Sequence, residues 1–288
     1  MKRKGIAFAV LLGLAATFAM PATAQLNTPA ASPQAMVMQR VGLTDITVKY
    51  SRPSAKGRKV FGEVRPYGEA WRTGANGSTV IEFKDPVTLQ GTKVPAGEYA
   101  IYTIPGETEW TVVFNKNTKL GGNTQDYKNE DDVARFKVKP IKTPTKTETL
   151  TINFADLTPA TANLEILWEN TLVKVKITTD VESKVMAQIQ EQVINGKNVS
   201  PDLYAAAAAY YLDANKDAKQ ALDWIKLANA KDPKFWNVHT QAKLEAKNKD
   251  YKSAIASAEK SIALAKEAKN NDYVRLNEKV ISEWKAAK

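Results

Sequence analysis

Near Asp180 the spacing of apolar residues in this chain changes, and that change divides what it can fold into. Before it, short segments alternate or are rich in β-branched and aromatic residues: 46–50, 79–83, 99–104, 110–114, 134–138, 149–154, 163–168 and 171–177. Turn formers separate them, among them Asp85-Pro86, Gln90-Gly91, Pro95-Ala96-Gly97, Pro105-Gly106, Gly121-Gly122 and Thr158-Pro159. Eight or nine short strands with regular turns and no intervening helix predict an antiparallel sandwich over 44–178. After Asp180, Val181, Val185, Ile189 and Val193 recur at helical spacing, with Thr179 or Asp180 as the cap. Ser200-Pro201 opens the next helix with a cap and a proline at its first position. Further helices over 217–231, 233–248, 250–269 and 271–287 make six.

The helical part contains an internal repeat. Asn215-Lys216-Asp217-x-Lys219-x-Ala221-Leu222 returns as Asn248-Lys249-Asp250-x-Lys252-x-Ala254-Ile255, an offset of 33 residues. That is close to the ~34 of tetratricopeptide repeats, and Asp232-Pro233 sits where such a repeat closes. Ala221 and Ala254 are small where paired helices would approach closely. The fold class predicted is therefore β + α in two domains: an antiparallel β-sandwich followed by an α-helical, tetratricopeptide-like hairpin array over 179–288. Three helix hairpins suffice for a continuous core and one concave face, suited to a protein or peptide partner.

Residues 50–76 are chemically the most unusual stretch. They place Arg52, Lys56, Arg58, Lys59, Arg65 and Arg72 among Gly57, Gly62, Gly68, Gly74, two prolines and four aromatics. Gly and Pro shape a backbone, and arginine forks offer bidentate hydrogen bonds to anions. Candidate ligand-binding residues are Arg52, Lys56, Arg58, Tyr67, Trp71, Arg72 and Asn76, with Glu169 from a later strand. They would hold a carboxylate, phosphate or sulfated sugar beside an aromatic face. The competing account is that each arginine knits loops together through backbone carbonyls and a neighbouring carboxylate such as Glu169.

The same stretch resembles a known family. Tyr50-Ser51-Arg52-Pro53, Lys56-Gly57-Arg58, Phe61-Gly62, Pro66-Tyr67-Gly68 and Trp71-Arg72-Thr73-Gly74-Ala75-Asn76 are similar to the signature of the family called domain of unknown function 2911. The likeness continues through 94–99, 104–106, Trp110, Asn115-Lys116 and Trp168-Glu169, and covers roughly 33–178. The resemblance implies an exported bacterial protein, often with helical repeats appended. It implies no activity and no catalytic residue.

Met1–Lys4 is basic, residues 5–20 are apolar, and Ala22-Thr23-Ala24 offers small residues for cleavage. Residues 1–24 thus read as a secretory signal peptide, and 25–43 as a lead-in to the sandwich. The expected product is periplasmic or secreted. The chain has no cysteine, which excludes a lipoprotein anchor, disulfides, thiolate nucleophiles and cysteine-held metals. No later segment is long and apolar enough to span a membrane. The formal charge is +10, and three of those charges leave with Lys2, Arg3 and Lys4. Neither half is strongly polarised, so nucleic-acid binding is not expected.

Catalytic sets are incomplete. The sole histidine, His239, falls in a repeat helix with no cysteine or second histidine near it. Asp126, Glu130, Asp131 and Asp132 cluster, but without the alternating ligand spacing of a calcium loop. Glu63, Glu69 and Glu169 are candidates for a carboxylate pair of the kind glycosidases use. The leading expectation is a non-enzymatic exported binding protein without cofactor or metal. Its rivals are an envelope hydrolase working with carboxylates or Tyr/Arg, and a purely structural envelope protein.

Overall fold

The computed structural model describes residues 28–122 and 124–286; the segment read as a signal peptide lies outside the described residues. Ten strands form two antiparallel sheets. The larger runs β1 (Gln34–Val41), β2 (Thr44–Ser51), β3 (Val80–Phe83), β6 (Gly97–Ile104), β7 (Trp110–Asn115) and β8 (Asp132–Val138), in that order. The smaller is β5 (Thr92–Val94), β4 (Val87–Leu89), β10 (Thr161–Thr179) and β9 (Ile141–Ala155). Alternation decides what faces inward. Ile46, Val48 and Tyr50 of β2 and Trp110, Val112 and Phe114 of β7 enter one core with Leu150, Ile152, Leu164 and Ile166 from the facing sheet. Tyr50 also stitches the sheets: its hydroxyl accepts from Ile152 N at 2.9 Å and faces Ile152 O at 3.3 Å.

Segments 163–168 and 171–177, separate strands by sequence, are one strand. Along β10 the inward residues are Ala162, Leu164, Ile166 and Trp168, then Val173, Val175 and Ile177. Even positions give way to odd ones. The phase slips at a bulge where Glu169 has φ +51°, and its pairing with β9 shifts on both sides of Glu169. A bulge inserts one residue, bends the strand and re-aims a side chain. Here the re-aimed side chain is Glu169. The lead-in holds β1, an edge strand whose outer face exposes Met36 and Met38. The β4–β5 hairpin turns on Gln90-Gly91, both at positive φ, as a tight two-residue hairpin requires.

Between β2 and β3 the chain spends residues 52–79 without regular strands or helices. Single bridges pin it: Ser54 to Thr149, Phe61 to Arg65 and Trp71 to Thr103. This is the Arg- and Gly-rich stretch, and it closes one end of the sandwich core with Val60, Phe61 and Trp71.

Six α-helices follow: α1 (Val181–Ile189), extended by a π turn at Gln190–Ile194, α2 (Pro201–Asp213), α3 (Ala218–Lys231), α4 (Phe235–Lys247), α5 (Tyr251–Glu267) and α6 (Asn271–Ala286). The expected caps are present. Asp180 accepts from Ser183 N, and Ser200 from Leu203 N with Pro201 just inside. Asp217 and Asp250 cap α3 and α5. The positive-φ residues that end α2 and α4, Asn215 and Lys249, are 34 apart, whereas the caps that follow are 33 apart. The second turn is one residue shorter. Neighbouring helices from α2 to α6 pack on one another, and α2 touches α4 as α4 touches α6. Ala221 and Ala254 are fully buried there.

The sheet and helical parts touch at the start of α1. Asp85 accepts from Thr44 Oγ1 at 2.9 Å and from Lys184 Nζ of α1 at 2.8 Å. Gly42, at φ +58°, leaves no room for a Cβ, which would stand 2.3 Å from Val181 Cγ2.

Candidate functional site

The cations of the 52–79 stretch fall into two groups by their partners. The first group is tied into the protein. Arg52 donates through Nε to Leu150 O (2.9 Å) and through Nη2 to Thr151 Oγ1 (2.8 Å) of β9. Arg58 donates to Ala55 O (2.9 Å) and Ser54 O (3.1 Å), closing its own turn. Lys56, at φ +52°, gives its backbone N–H to Glu148 Oε1 at 2.5 Å, and the residue itself is exposed. Glu169 accepts the Val60 N–H at 2.7 Å from its bulge. It forms no ion pair with an arginine among the described residues. Asn76, at φ +57°, reaches Ser32 O at 3.2 Å and Ser51 Oγ at 3.4 Å. Trp71 is a core residue: 2% exposed, stacked on Trp168 at 5.6 Å, edge-on to Phe61, with its indole N–H on Gly74 O.

The second group is Arg65 and Arg72. In each, the Nε atom is buried and has no hydrogen-bond partner. The Arg65 guanidinium lies over the Trp71 ring at 5.7 Å. Burial lowers its pKa first, and the positive charges of Arg72 and then Arg58 lower it further. Among the described residues no carboxylate comes within 4.0 Å of Arg58, Arg65 or Arg72; Glu63, the nearest acid in sequence, pairs with Lys59 at 3.9 Å. Arg72 lies against Gly122, where a Cβ would stand 2.2 Å from Nη1. Buried polar groups are normally bonded, so the two unpartnered Nε atoms set Arg65 and Arg72 apart from the arginines of the first group.

Tyr67 lies between Arg65 and Arg72 in the sequence. Its ring packs against Gly62, whose Cβ would stand 2.9 Å from Cε2, and Gly62 N donates to Arg65 O at 2.9 Å. Tyr67 keeps 39% of its surface exposed. Arg65 thus has the Trp71 ring beneath its guanidinium and the charges of Arg72 and Arg58 near it, while Tyr67 packs on Gly62. Arg52, Lys56 and Glu169 belong to the seam with β9 and β10, and Asn76 to the seam with the chain before β1. Arg65 was not among the candidates read from sequence. Its only local signal is its position before Pro66 in the same cationic stretch; what distinguishes it is missing partners, which are a three-dimensional property. On the other side of Asn76, a cleft of about 350 Å³ opens on β1 and β2, lined by Gln34, Met36, Lys49, Ser51, Gly77 and Ser78.

Other candidate chemistry is placed elsewhere. His239 lies in α4 with Nδ1 2.8 Å from Asn277 Oδ1 of α6. Asp132 is taken up by Tyr127, Arg135 and Asn115. Among the described residues no three His, Cys, Asp or Glu side chains gather as a metal site would need.

Residues 32–177, just over half of the chain, match the family described as protein of unknown function (DUF2911). The chain belongs to this family. The match covers β1 to the end of β10 almost completely, so the DUF2911 unit coincides with the sandwich and includes both groups of cations. Neither a curated protein nor a solved structure matches the chain.

Proposed function

We propose that this DUF2911 protein is an exported, non-enzymatic binding protein that captures an anionic or glycan ligand at the Arg65–Arg72 end of its sandwich. One observation carries the reading: two buried guanidinium Nε atoms without partners, in a cationic cluster that has no carboxylate partner among the described residues. Arg58 adds charge, and Tyr67 adds an accessible ring. Export rests on the basic, apolar and small-residue pattern of 1–24, which predicts a mature chain starting near Gln25 in the periplasm or medium. No helix of the described residues is long and apolar enough to cross a membrane.

The six helices serve as a tetratricopeptide-like array that presents a face to a protein or peptide. The 33–34-residue spacing of turns and caps, and the contacts of α2 with α4 and α4 with α6, support that role. A structural role is favoured for Arg52, Arg58 and Glu169 specifically, since their hydrogen bonds go to the protein's own backbone and hydroxyl groups.

The test is thermal unfolding of the purified mature chain at low ionic strength against phosphate, sulfate, carboxylate and oligosaccharide panels. A ligand at about 100 times its Kd stabilises by roughly 2.7 kcal/mol. A rise in melting temperature that Arg72→Lys abolishes is expected. No response to any anion or glycan would overturn the reading.

A further inference from the structure

We propose that β1 is the seam of a homodimer. A second copy of this chain adds its own β1 antiparallel to the free edge, across a two-fold axis at Val37, so that two six-stranded sheets become one. The dimer does not depend on the anion site.

Four strands end the two sheets: β1 and β8 in the larger, β5 and β9 in the smaller. Exposed edges are normally short, charged, bulged or covered, because their unpaired N–H and C=O groups recruit other strands. Three of the four follow that rule. β5 has only three residues. β8 carries Arg135 and Lys137, and its register with β7 shifts at Asn115. β9 has Lys142, Pro144 and Lys146 along its first half. Further along β9, Leu150 N donates to Pro53 O, and Ile152 N to the Tyr50 hydroxyl. β1 has none of these protections. It is eight residues long, has no proline, and pairs with β2 in unbroken register. Its one charge, Arg40, is neutralised by Asp45 of β2 at 2.7 Å. Its inward residues Ala35 and Val37 pack on the core but stay only half-buried.

The phase of the ladder fixes which backbone groups are free. Arg52 N donates to Pro33 O, so Pro33 and every second residue after it, Ala35, Val37 and Gln39, bond to β2. The two-residue turn at Gly42-Leu43 demands the same phase, since a hydrogen-bonded pair, Val41 and Thr44, flanks it. The backbone groups of Gln34, Met36, Met38 and Arg40 therefore point to the open edge. Among the described residues only Gln39 Nε2 reaches one of them, Arg40 O, at 2.9 Å. The side chains of Met36 and Met38, on the outer face of the sheet, are 65% and 59% exposed.

This outward set is self-complementary. With Val37 on the axis, Met36 faces the partner's Met38 and Gln34 faces the partner's Arg40, each contact occurring twice. Every outward backbone group then meets another, and no like charges stand opposite across the seam. Sliding the register by two residues either way leaves Gln34 or Arg40 without a strand residue opposite. One strand per copy makes a seam at the small end of specific interfaces, under ~1,200 Å², so the dissociation constant should be on the order of micromolar.

Sedimentation velocity of the mature chain from about 1 to 300 μM tests the assembly, and a concentration-dependent monomer–dimer equilibrium is expected. Met36 and Met38 are exposed, so changing them spares the fold. Met36→Lys with Met38→Lys sets like charges opposite one another across the seam and should weaken the dimer by about tenfold or more. Met36→Lys with Met38→Glu sets opposite charges there and should recover most of that loss. Only the Val37 register can do so, since a slide of two residues would set lysine against lysine or glutamate against glutamate. A covalent readout is independent of the charges. The chain has no cysteine, so Val37→Cys supplies a single thiol. Facing residues of a non-hydrogen-bonded pair lie ~4.5 Å apart at Cα, within disulfide range. Mild oxidation should therefore crosslink Val37→Cys into a dimer and leave Gln39→Cys monomeric. A parent that is monomeric at every concentration would overturn the homodimer, including the case in which a different polypeptide copurifies on β1. A dimer that the double-lysine variant leaves intact would overturn the β1 seam. Failure of Met36→Lys with Met38→Glu to recover the dimer, or crosslinking of Gln39→Cys in place of Val37→Cys, would overturn the register.

Discussion

Arg65→Met tests the physics of the site without any ligand. Methionine keeps an unbranched apolar stem over Trp71 and removes the guanidinium. In the free protein that group has a buried Nε with no partner, which costs about 1–3 kcal/mol in a fully dry site. Arg65 is only half-buried, so solvent screening brings the relief to the lower end of that range. Repulsion from Arg72 and Arg58 is also relieved. Against this stands the lost cation–π contact at 5.7 Å, worth about 0.5–1 kcal/mol. The two opposing terms leave a gain of roughly 0–0.5 kcal/mol, to which the relieved repulsion adds. For a unit of this size that is a rise of up to about 2 °C in melting temperature. The assay is calorimetric or fluorescence-detected unfolding in a buffer free of phosphate and sulfate, at low salt. Added salt should raise the parent's melting temperature and narrow the difference, since it screens the cluster. A fall in stability of 1 kcal/mol or more for Arg65→Met in that buffer would refute the reasoning, because it would mean the guanidinium supports the fold.

Three further outcomes are expected. Arg52→Lys loses the two-pronged hold on Leu150 O and Thr151 Oγ1, so it should cost about 1–2 kcal/mol by denaturant unfolding and leave anion affinity within twofold. Gly42→Ala forces a Cβ onto Val181 and Thr179 at φ +58°, so it should destabilise by roughly 1–3 kcal/mol and speed proteolysis between residues 178 and 200. His239 has its pKa lowered by burial, against the Asn277 hydrogen bond and with the Lys243 charge adding to the fall. Its contribution to stability is therefore full above the ordinary value of about 6.5 and is lost as pH drops through that value toward the folded one; unfolding at pH 7.5 and 5 should show a loss that His239→Asn flattens.

Much of the architecture was legible because it depends on periods and caps, which are local. Asp180, Ser200, Pro201, Asp217 and Asp250 announce helix starts by their own chemistry. The strands of the core alternate cleanly where one face meets Trp110 or Leu164. The departures have physical causes. β1 is an edge strand with methionines on its exposed face, so its polarity pattern is blurred. The bulge at Glu169 shifts the inward phase, so one long strand reads as two short ones. At the candidate site, composition alone marks the stretch that holds the unpartnered arginines. It could not sort the arginines, because Arg52 and Arg72 differ only in what the rest of the fold brings within reach. Nor could it tell that the Trp71 ring faces Trp168 and Phe61 in the core while Tyr67, four residues earlier, stays accessible.

That sorting bears on why one loop holds so many cations. A structural loop needs its donors satisfied, and Arg52 and Arg58 meet that need with backbone carbonyls and a threonine hydroxyl. If stability alone shaped the stretch, Arg65 and Arg72 would be satisfied in the same way, or replaced by apolar residues of similar length over Trp71. Instead their Nε atoms are buried without partners, in each other's field. Strain of this kind persists where the surrounding structure enforces it, and here the enforcement is visible. Trp71 is locked by Trp168, Phe61 and Gly74 O, and it carries Arg65 on its ring and Arg72 as its chain neighbour. Val60, held by Glu169 from the bulge, anchors the turn that positions Arg65 through the Val60 carbonyl. The satisfied residues therefore frame two unsatisfied ones, and on the binding function proposed above an anion would gain their hydrogen bonds without first having to order them.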